Sequence, residues 1–100
     1  MDSVKGNSWF VYILRCSDGS LYTGATTDVK RRSGQHNAGT ASRYTRSRRP
    51  VCVNYQEPHV SRSLALKREA AVKRMTRPEK EQLIRRGATL TLYDAGVNGG

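Results

Sequence analysis

Six consecutive residues, Trp9-Phe10-Val11-Tyr12-Ile13-Leu14, carry no polar residue among them in a chain that is only 36% hydrophobic. Their types, aromatic and β-branched, favour extended backbone. The run lacks the apolar–polar alternation of a strand with one wet face, so it reads as a strand buried on both faces and therefore central in its sheet. It is also far shorter than the roughly 20 residues that span a bilayer, and the reading excludes a membrane association.

The flanking sequence supplies the next elements. Ser17-Asp18-Gly19 is a turn signal, and Leu21-Tyr22-Thr23-Gly24 reads as a strand returning beside the first. A helix over about Asp28–Asn37 follows, with Thr27-Asp28 as its capping start and Gly39 as its stop. Residues Thr40–Pro50 form a basic loop with room for one helical turn. Val51-Cys52-Val53-Asn54-Tyr55 alternates as a third strand, with Pro58 ending the connection. Ser61 caps a helix over about Arg62–Met75, and Thr76-Arg77-Pro78-Glu79 matches a capping box that opens a last helix to about Arg86, ended by Gly87. The order ββαβαα predicts one α/β domain over residues 9–86 with a three-stranded antiparallel sheet. Residues 1–8 are expected to be disordered and residues 87–100 to form a flexible tail, with a brief alternation at Thr89–Tyr93.

Hairpin register decides what the tyrosines can do. A two-residue turn at Asp18-Gly19 would place Tyr12 and Tyr22 on opposite faces. A three-residue loop, Ser17-Asp18-Gly19, fits better because it needs a left-handed last residue, and Gly19 stands there. Tyr12 then pairs with Gly24 and Leu14 with Tyr22, so both phenols share a face. Gly24, with no side chain, leaves a notch beside Tyr12 that could take a phosphate.

The first helix brings Val29, Arg32, Ser33 and His36 onto one face. With Val29 anchoring that face, Arg32 and His36 are carried toward the sheet. Arg32 either meets an anion there or lays its stem over apolar surface with its head in water. On the third helix, Leu64, Ala65, Ala71, Val72 and Met75 form an apolar stripe, and Glu69 falls on its rim, as a solvated carboxylate or a metal ligand. Arg68 projects nearer the stripe than Glu69 does, which snorkelling would explain.

Charge narrows the partner. Eighteen Lys and Arg against eight Asp and Glu leave a formal net charge of +10, and Arg43, Arg46, Arg48 and Arg49 crowd one loop. Nucleic acid is the anion that suits such a footprint, against the plainer reading of a basic protein with no dedicated partner. Cys16 and Cys52 match neither a zinc pattern nor a disulfide framework. With a polar N-terminus and no signal peptide, the protein is expected in the cytoplasm.

Taken together, these segments resemble a known family. Phe10-Val11-Tyr12 and Tyr22-Thr23-Gly24 are similar to the paired signatures of the GIY-YIG nucleases. Asp28–Asn37, with Gln35-His36-Asn37, is similar to that family's catalytic helix, and Ser63–Glu69 to the helix bearing its metal-binding glutamate. The resemblance covers about Trp9 to Ile84, in particular to the small single-domain bacterial members. It implies a Mg²⁺-dependent endonuclease, with Mn²⁺ able to substitute, acting on phosphodiester bonds in DNA in the setting of repair or recombination. RNA stays open as a substrate, and no protein partner is implied. Tyr12 and Tyr22 match the signature tyrosines, Arg32 the essential arginine, His36 the accompanying histidine and Glu69 the metal ligand. Phe10 stands where the first signature has Gly, and Thr23 where the second has Ile.

On that reading Arg32 and Gly24 meet phosphate, and Arg43, Arg46, Arg48 and Arg49 track the nucleic-acid backbone. Tyr12 orients or deprotonates the attacking water, which requires neighbouring cations to lower its pKa from about 10. Tyr22 positions phosphate, and His36 shuttles a proton or orients its neighbours. The alternative from another class is a catalytically inactive nucleic-acid-binding module of the same fold. A phosphotransfer or acyl-transfer enzyme is disfavoured, since no Gly-rich phosphate loop or Ser-His-Asp arrangement is evident.

Overall fold

Residues 8–87 are the part of the 100-residue chain that the structure, a computed structural model, describes. The expectations for the first residues and for the tail beyond Gly87, including Thr89–Tyr93, lie outside the described residues. Strand β1, Trp9–Arg15, is central between β2, Leu21–Thr26, and β3, Cys52–His59, with both pairings antiparallel. Its unbroken apolar run is explained by cover on both faces: Val11, Ile13 and Leu14 are 0% exposed and Tyr12 1%. Val11 and Ile13 pack with Ala65, Val72, Leu83 and Ile84, whereas Tyr12 and Leu14 pack with Cys16 and Val51. Burying each such aliphatic side chain contributes about 1.5–3 kcal/mol.

Helix α1, Val29–Ala38, and the single-turn α2, Arg43–Arg46, lie on the tyrosine face. Helix α3, Arg62–Lys73, and α4, helical over 77–87, cover the other. Setting the one-turn α2 aside, the order is ββαβαα. Capping follows the polar residues that flank each helix. Asp28 accepts from the Arg31 amide and Ser61 from the Leu64 amide, while Gly39 takes a left-handed φ of 83° to close α1. Thr76 and Glu79 exchange the reciprocal bonds of a capping box at 2.8 and 3.3 Å.

Three expectations about extent need correction. Strand β3 runs through Pro58 to His59 instead of ending before it; β3 is an edge strand, where a missing N–H can face outward. Helix α3 ends at Lys73, and Met75 turns inward against the core. Gly87, expected to lie just past the last helix, is itself helical and is the last described residue; a Cβ on it would lie 2.5 Å from the Tyr55 ring. The β1–β3 ladder also shifts register between Ile13 and Leu14, which pair with Tyr55 and Val53. The extra residue, Asn54, accepts from Arg15 Nε at 2.8 Å. Arg15 also grips Glu81 of α4 with both Nη atoms, at 3.0 and 2.7 Å, so the last helix is clamped to the central strand.

The stripe of α3 is turned from the expected one. Leu64 is 46% exposed, while Ala65 and Val72 are fully buried. Arg68 lies inward because Glu57 of β3 accepts from it at 2.8 and 3.2 Å, and the same carboxylate takes the Tyr55 hydroxyl and a His59 N–H, each at 2.6 Å. That ion pair accounts for Arg68 without snorkelling.

Candidate active site

The hairpin sets the geometry. Cys16 and Ser20 close the three-residue loop Ser17-Asp18-Gly19 with a 2.8 Å bond, and Gly19 has φ 87°. Tyr12 pairs with Gly24 and Leu14 with Tyr22, so the two phenols share a face. The notch at Gly24 is not open to a phosphate as expected. The Tyr12 phenol fills it: a Cβ at Gly24 would stand 2.5 Å from Tyr12 Oη and 2.6 Å from Cζ. Glycine at this position lets the ring lie directly against the edge strand, so its contribution is to seat the phenol.

Helix α1 carries His36 under that ring. His36 is fully buried, its Nε2 lies 3.1 Å from Tyr12 Oη, and its Nδ1 lies 2.7 Å from Thr45 Oγ1 of α2. The Tyr22 ring meets the imidazole edge-on at 4.9 Å between centroids. Burial, with Arg32 nearby, holds the His36 pKa below its ordinary value, so the ring is neutral at pH 7. Arg32, partly buried one turn earlier, donates from Nη1 to Gln35 at 2.9 Å.

The Tyr12 hydroxyl feels the whole cluster. Burial and the neighbouring Tyr22 raise its pKa to about 12, Arg32 opposes the rise by hydrogen bonding and charge, and Glu69 adds to it. The expectation of a phenol already lowered by cations is therefore corrected, because desolvation outweighs the single guanidinium. Glu69, on the inward side of α3 with Ala65 and Val72, has a side chain only 18% exposed and pairs with Lys73 at 3.3 Å. Of the two readings open to its rim position, the solvated carboxylate does not fit this burial. Tyr12, Tyr22, Arg32, His36 and Glu69 are thus brought within electrostatic reach of one hydroxyl.

The two departures from the signatures sit differently. Thr23 pairs with Ile13 and faces the aliphatic core, where its Oγ1 is buried without a hydrogen-bond partner. It leaves the tyrosine cluster untouched. Phe10 pairs with Thr26 and Pro58 on the Tyr12 side of the sheet.

The four loop arginines divide into two pairs. Arg43 and Arg46 are exposed, as Arg49 is, but their guanidinium groups make no hydrogen bond to the described residues. Arg48 is committed, bonding Asp18 at 3.2 Å and the Tyr44 carbonyl at 2.9 Å with its guanidinium 3.9 Å above the Tyr44 ring. Arg49 donates to the carbonyls of Arg46 and Asn37. Three contributors escaped the sequence reading. Thr45 and Tyr44 lay inside a stretch read only for its charge, and Tyr44 stacks obliquely on Tyr22 at 6.0 Å. Asn37, quoted only as part of a motif, pins the start of β3 by exchanging two hydrogen bonds with the Val51 backbone at 2.7 and 2.9 Å. Among the described residues no three His, Cys, Asp or Glu side chains gather around a common point, and no helix is long and apolar enough to cross a membrane.

Comparison with known proteins places this arrangement. UPF0213 proteins of Staphylococcus aureus, among them those of strains Mu50 and USA300, are 52% identical over 79 residues, covering 79% of this chain and 96% of theirs. The solution NMR structure of the UPF0213 protein BH0048 from Bacillus halodurans is 44% identical and superposes with a TM-score of 0.51 over 78% of this chain and 83% of that one. The protein EF2693 from E. faecalis, also 44% identical, gives 0.55 over 79% and 84%. Residues 8–82 match the GIY-YIG catalytic domain. The chain belongs to the GIY-YIG family, a family of nucleases.

Proposed function

We propose that this protein is a Mg²⁺-dependent endonuclease that hydrolyses phosphodiester bonds in DNA, with Tyr12, Tyr22, Arg32, His36 and Glu69 as its working residues and repair or recombination as its setting. The observation that carries this reading is the Tyr12 hydroxyl, wedged by Gly24 against the His36 imidazole and within reach of one cation and one carboxylate. Mere phosphate binding has no use for a carboxylate beside the phosphate.

Glu69 is the residue that would hold the metal. A single carboxylate fits Mg²⁺, which commonly completes its shell with water and substrate phosphate oxygens, and Lys73 would have to yield its place on that carboxylate. Bound there, the ion would supply charge neutralisation at the phosphate and stabilisation of the leaving oxygen. The remaining work falls to the chain. Arg32, with guanidinium N–H groups beyond the one given to Gln35, grips the phosphate oxygens and favours the more highly charged transition state. Tyr12 oxygen takes a proton from the attacking water while its own proton passes to His36 Nε2, so the high phenol pKa is no obstacle. Tyr22, packed on His36, positions the phosphate. Arg43 and Arg46, the exposed arginines of the basic loop whose guanidinium groups are not committed to a hydrogen bond, hold flanking phosphates.

The test is incubation of the purified protein with a panel of labelled nicked, branched, single-stranded and duplex DNA, with RNA counterparts, in Mg²⁺ or Mn²⁺ and in EDTA. Cleavage of DNA that EDTA abolishes is the expected result. Binding without cleavage of any member would replace the enzyme with the inactive nucleic-acid-binding module.

A further inference from the structure

We infer that Thr45 is a positioning residue: its hydroxyl accepts the Nδ1–H of His36 and holds the imidazole in the tautomer whose Nε2 is bare and aimed at Tyr12. Its catalytic consequence rests on the endonuclease reading; the tautomer itself does not.

Donor accounting decides between the two neutral forms of the ring. The Tyr12 hydroxyl has His36 Nε2 at 3.1 Å as its hydrogen-bond acceptor, since Arg32, which also hydrogen-bonds to the phenol oxygen, can only donate. Thr45 Oγ1 has His36 Nδ1 at 2.7 Å and, on its other side, the carbonyl and hydroxyl oxygens of Ser42 at 3.4 and 3.3 Å. If Nε2 carried the proton, it would donate to Tyr12, and in the resting site, where Tyr12 is 1% exposed, the phenol proton would have no protein acceptor. Arg32, which hydrogen-bonds to the phenol oxygen, needs a lone pair there and offers that proton no acceptor. If Nδ1 carries the proton, every donor is used. Tyr12 O–H donates to Nε2, Nδ1–H donates to Thr45, and the Thr45 hydroxyl donates back to Ser42, the local bond that threonine makes readily within a helical turn. A stranded buried donor is the costlier arrangement.

The short helix α2 is built to hold this hydroxyl. Ser42 is its N-cap and accepts the Thr45 amide at 3.1 Å, and Thr45 is fully buried between two exposed arginines, Arg43 and Arg46. The basic turn that suits phosphate is therefore the same turn that orients the imidazole. In the reaction, the water proton goes to Tyr12 oxygen and the phenol proton to Nε2, giving an imidazolium whose Nδ1–H still rests on Thr45.

Long-range ¹H–¹⁵N correlation spectra of ¹⁵N-histidine-labelled protein at neutral pH read the tautomer directly, with His59→Gln assigning the two histidines. A pyrrole-type Nδ1 and a bare Nε2 for His36 are expected; a protonated Nε2 in the wild-type protein overturns the inference, whatever any variant does. Thr45→Ser should keep the tautomer and the cleavage rate within about 3-fold. Thr45→Val should move the proton to Nε2 and lower single-turnover cleavage on the order of 10²-fold, the scale of lost general-base help, with DNA affinity in Ca²⁺ unchanged. Loss of affinity at an unchanged rate, or an unchanged rate with the tautomer shifted, would overturn the positioning role. A wild-type protein that cuts nothing would sink the endonuclease reading and leave the NMR result standing.

Discussion

Gly24→Ala is the smallest change that reaches the centre of this site. The added methyl would stand 2.5 Å from Tyr12 Oη, 2.6 Å from Cζ and 3.0 Å from Cε2, whereas carbon contacts are comfortable at about 3.5–4.0 Å. Relief requires a shift of roughly 1 Å. Tyr12 cannot simply retreat, because His36 beneath it is fully buried and already hydrogen-bonded. Either the ring turns and gives up His36, or β2 backs away from β1. Overpacking of this kind costs about 1–3 kcal/mol, and each kcal/mol lowers the Tm of a domain this size by about 4–8 °C. A displacement of about 1 Å at a reacting group costs on the order of 10²-fold in rate. Denaturant midpoints and single-turnover cleavage, measured together, give both numbers. A double-mutant cycle with Tyr12→Leu isolates the cause, since without the phenol the methyl meets little and the stability penalty should largely vanish. Wild-type stability and rate in Gly24→Ala would refute the claim that glycine is required to seat Tyr12.

Further outcomes follow from the same contacts. Thr23→Val replaces a buried hydroxyl without a partner by a methyl group in the aliphatic core; it should stabilise by about 1 kcal/mol and leave cleavage unchanged, and a destabilised variant by thermal melt would contradict this. Acid should weaken the fold through Glu57 and Glu81. Burial pushes the Glu57 carboxyl up, but bonds from Arg68, Tyr55 and His59 outweigh it and hold the group below the usual carboxylate value of 4.5. Arg15, with help from Arg77, pulls Glu81 down to about 2. Because both folded values are depressed, the stability they confer is complete above pH 4.5 and is lost as pH falls from there toward 2. Glu81→Gln should flatten that part of the pH–stability profile, so parallel profiles for variant and wild type would count against it. DNA affinity should fall steeply between low and physiological salt, and Arg43→Ala with Arg46→Ala should reduce the salt slope by about 2; a flat salt response would make the basic turn an ordinary solvated surface.

How much of this was legible in the sequence depends on the range of the signal. The central place of β1 followed from an apolar run without alternation, and the hairpin register from the one residue able to turn left-handed, Gly19. Both are local. The bonds that give side chains their roles join residues far apart, such as Arg15 with Glu81 and Arg68 with Glu57, and no periodicity announces them. Helical spacing located the apolar face of α3 only to within about one position, which was enough to leave Leu64 outside the core and Glu69 inside it. The absence of a side chain at Gly24 read equally well as space for a ligand or for a neighbouring ring. The direction of the Tyr12 shift depended on a contest between burial and one guanidinium, and burial follows only from packing. Thr45 was hidden because its stretch was dominated by arginine.

Glu69 gives the most direct test of the account, because it separates an enzyme from a binding surface. Single-turnover DNA cleavage in Mg²⁺, run beside DNA binding in Ca²⁺, should show Glu69→Gln losing cleavage altogether while binding stays intact or tightens slightly, since the change removes a negative charge beside the phosphate together with the anchor for the metal. Equal cleavage by the wild-type protein and Glu69→Gln would contradict the account and make this carboxylate no more than the partner of Lys73 on its helix.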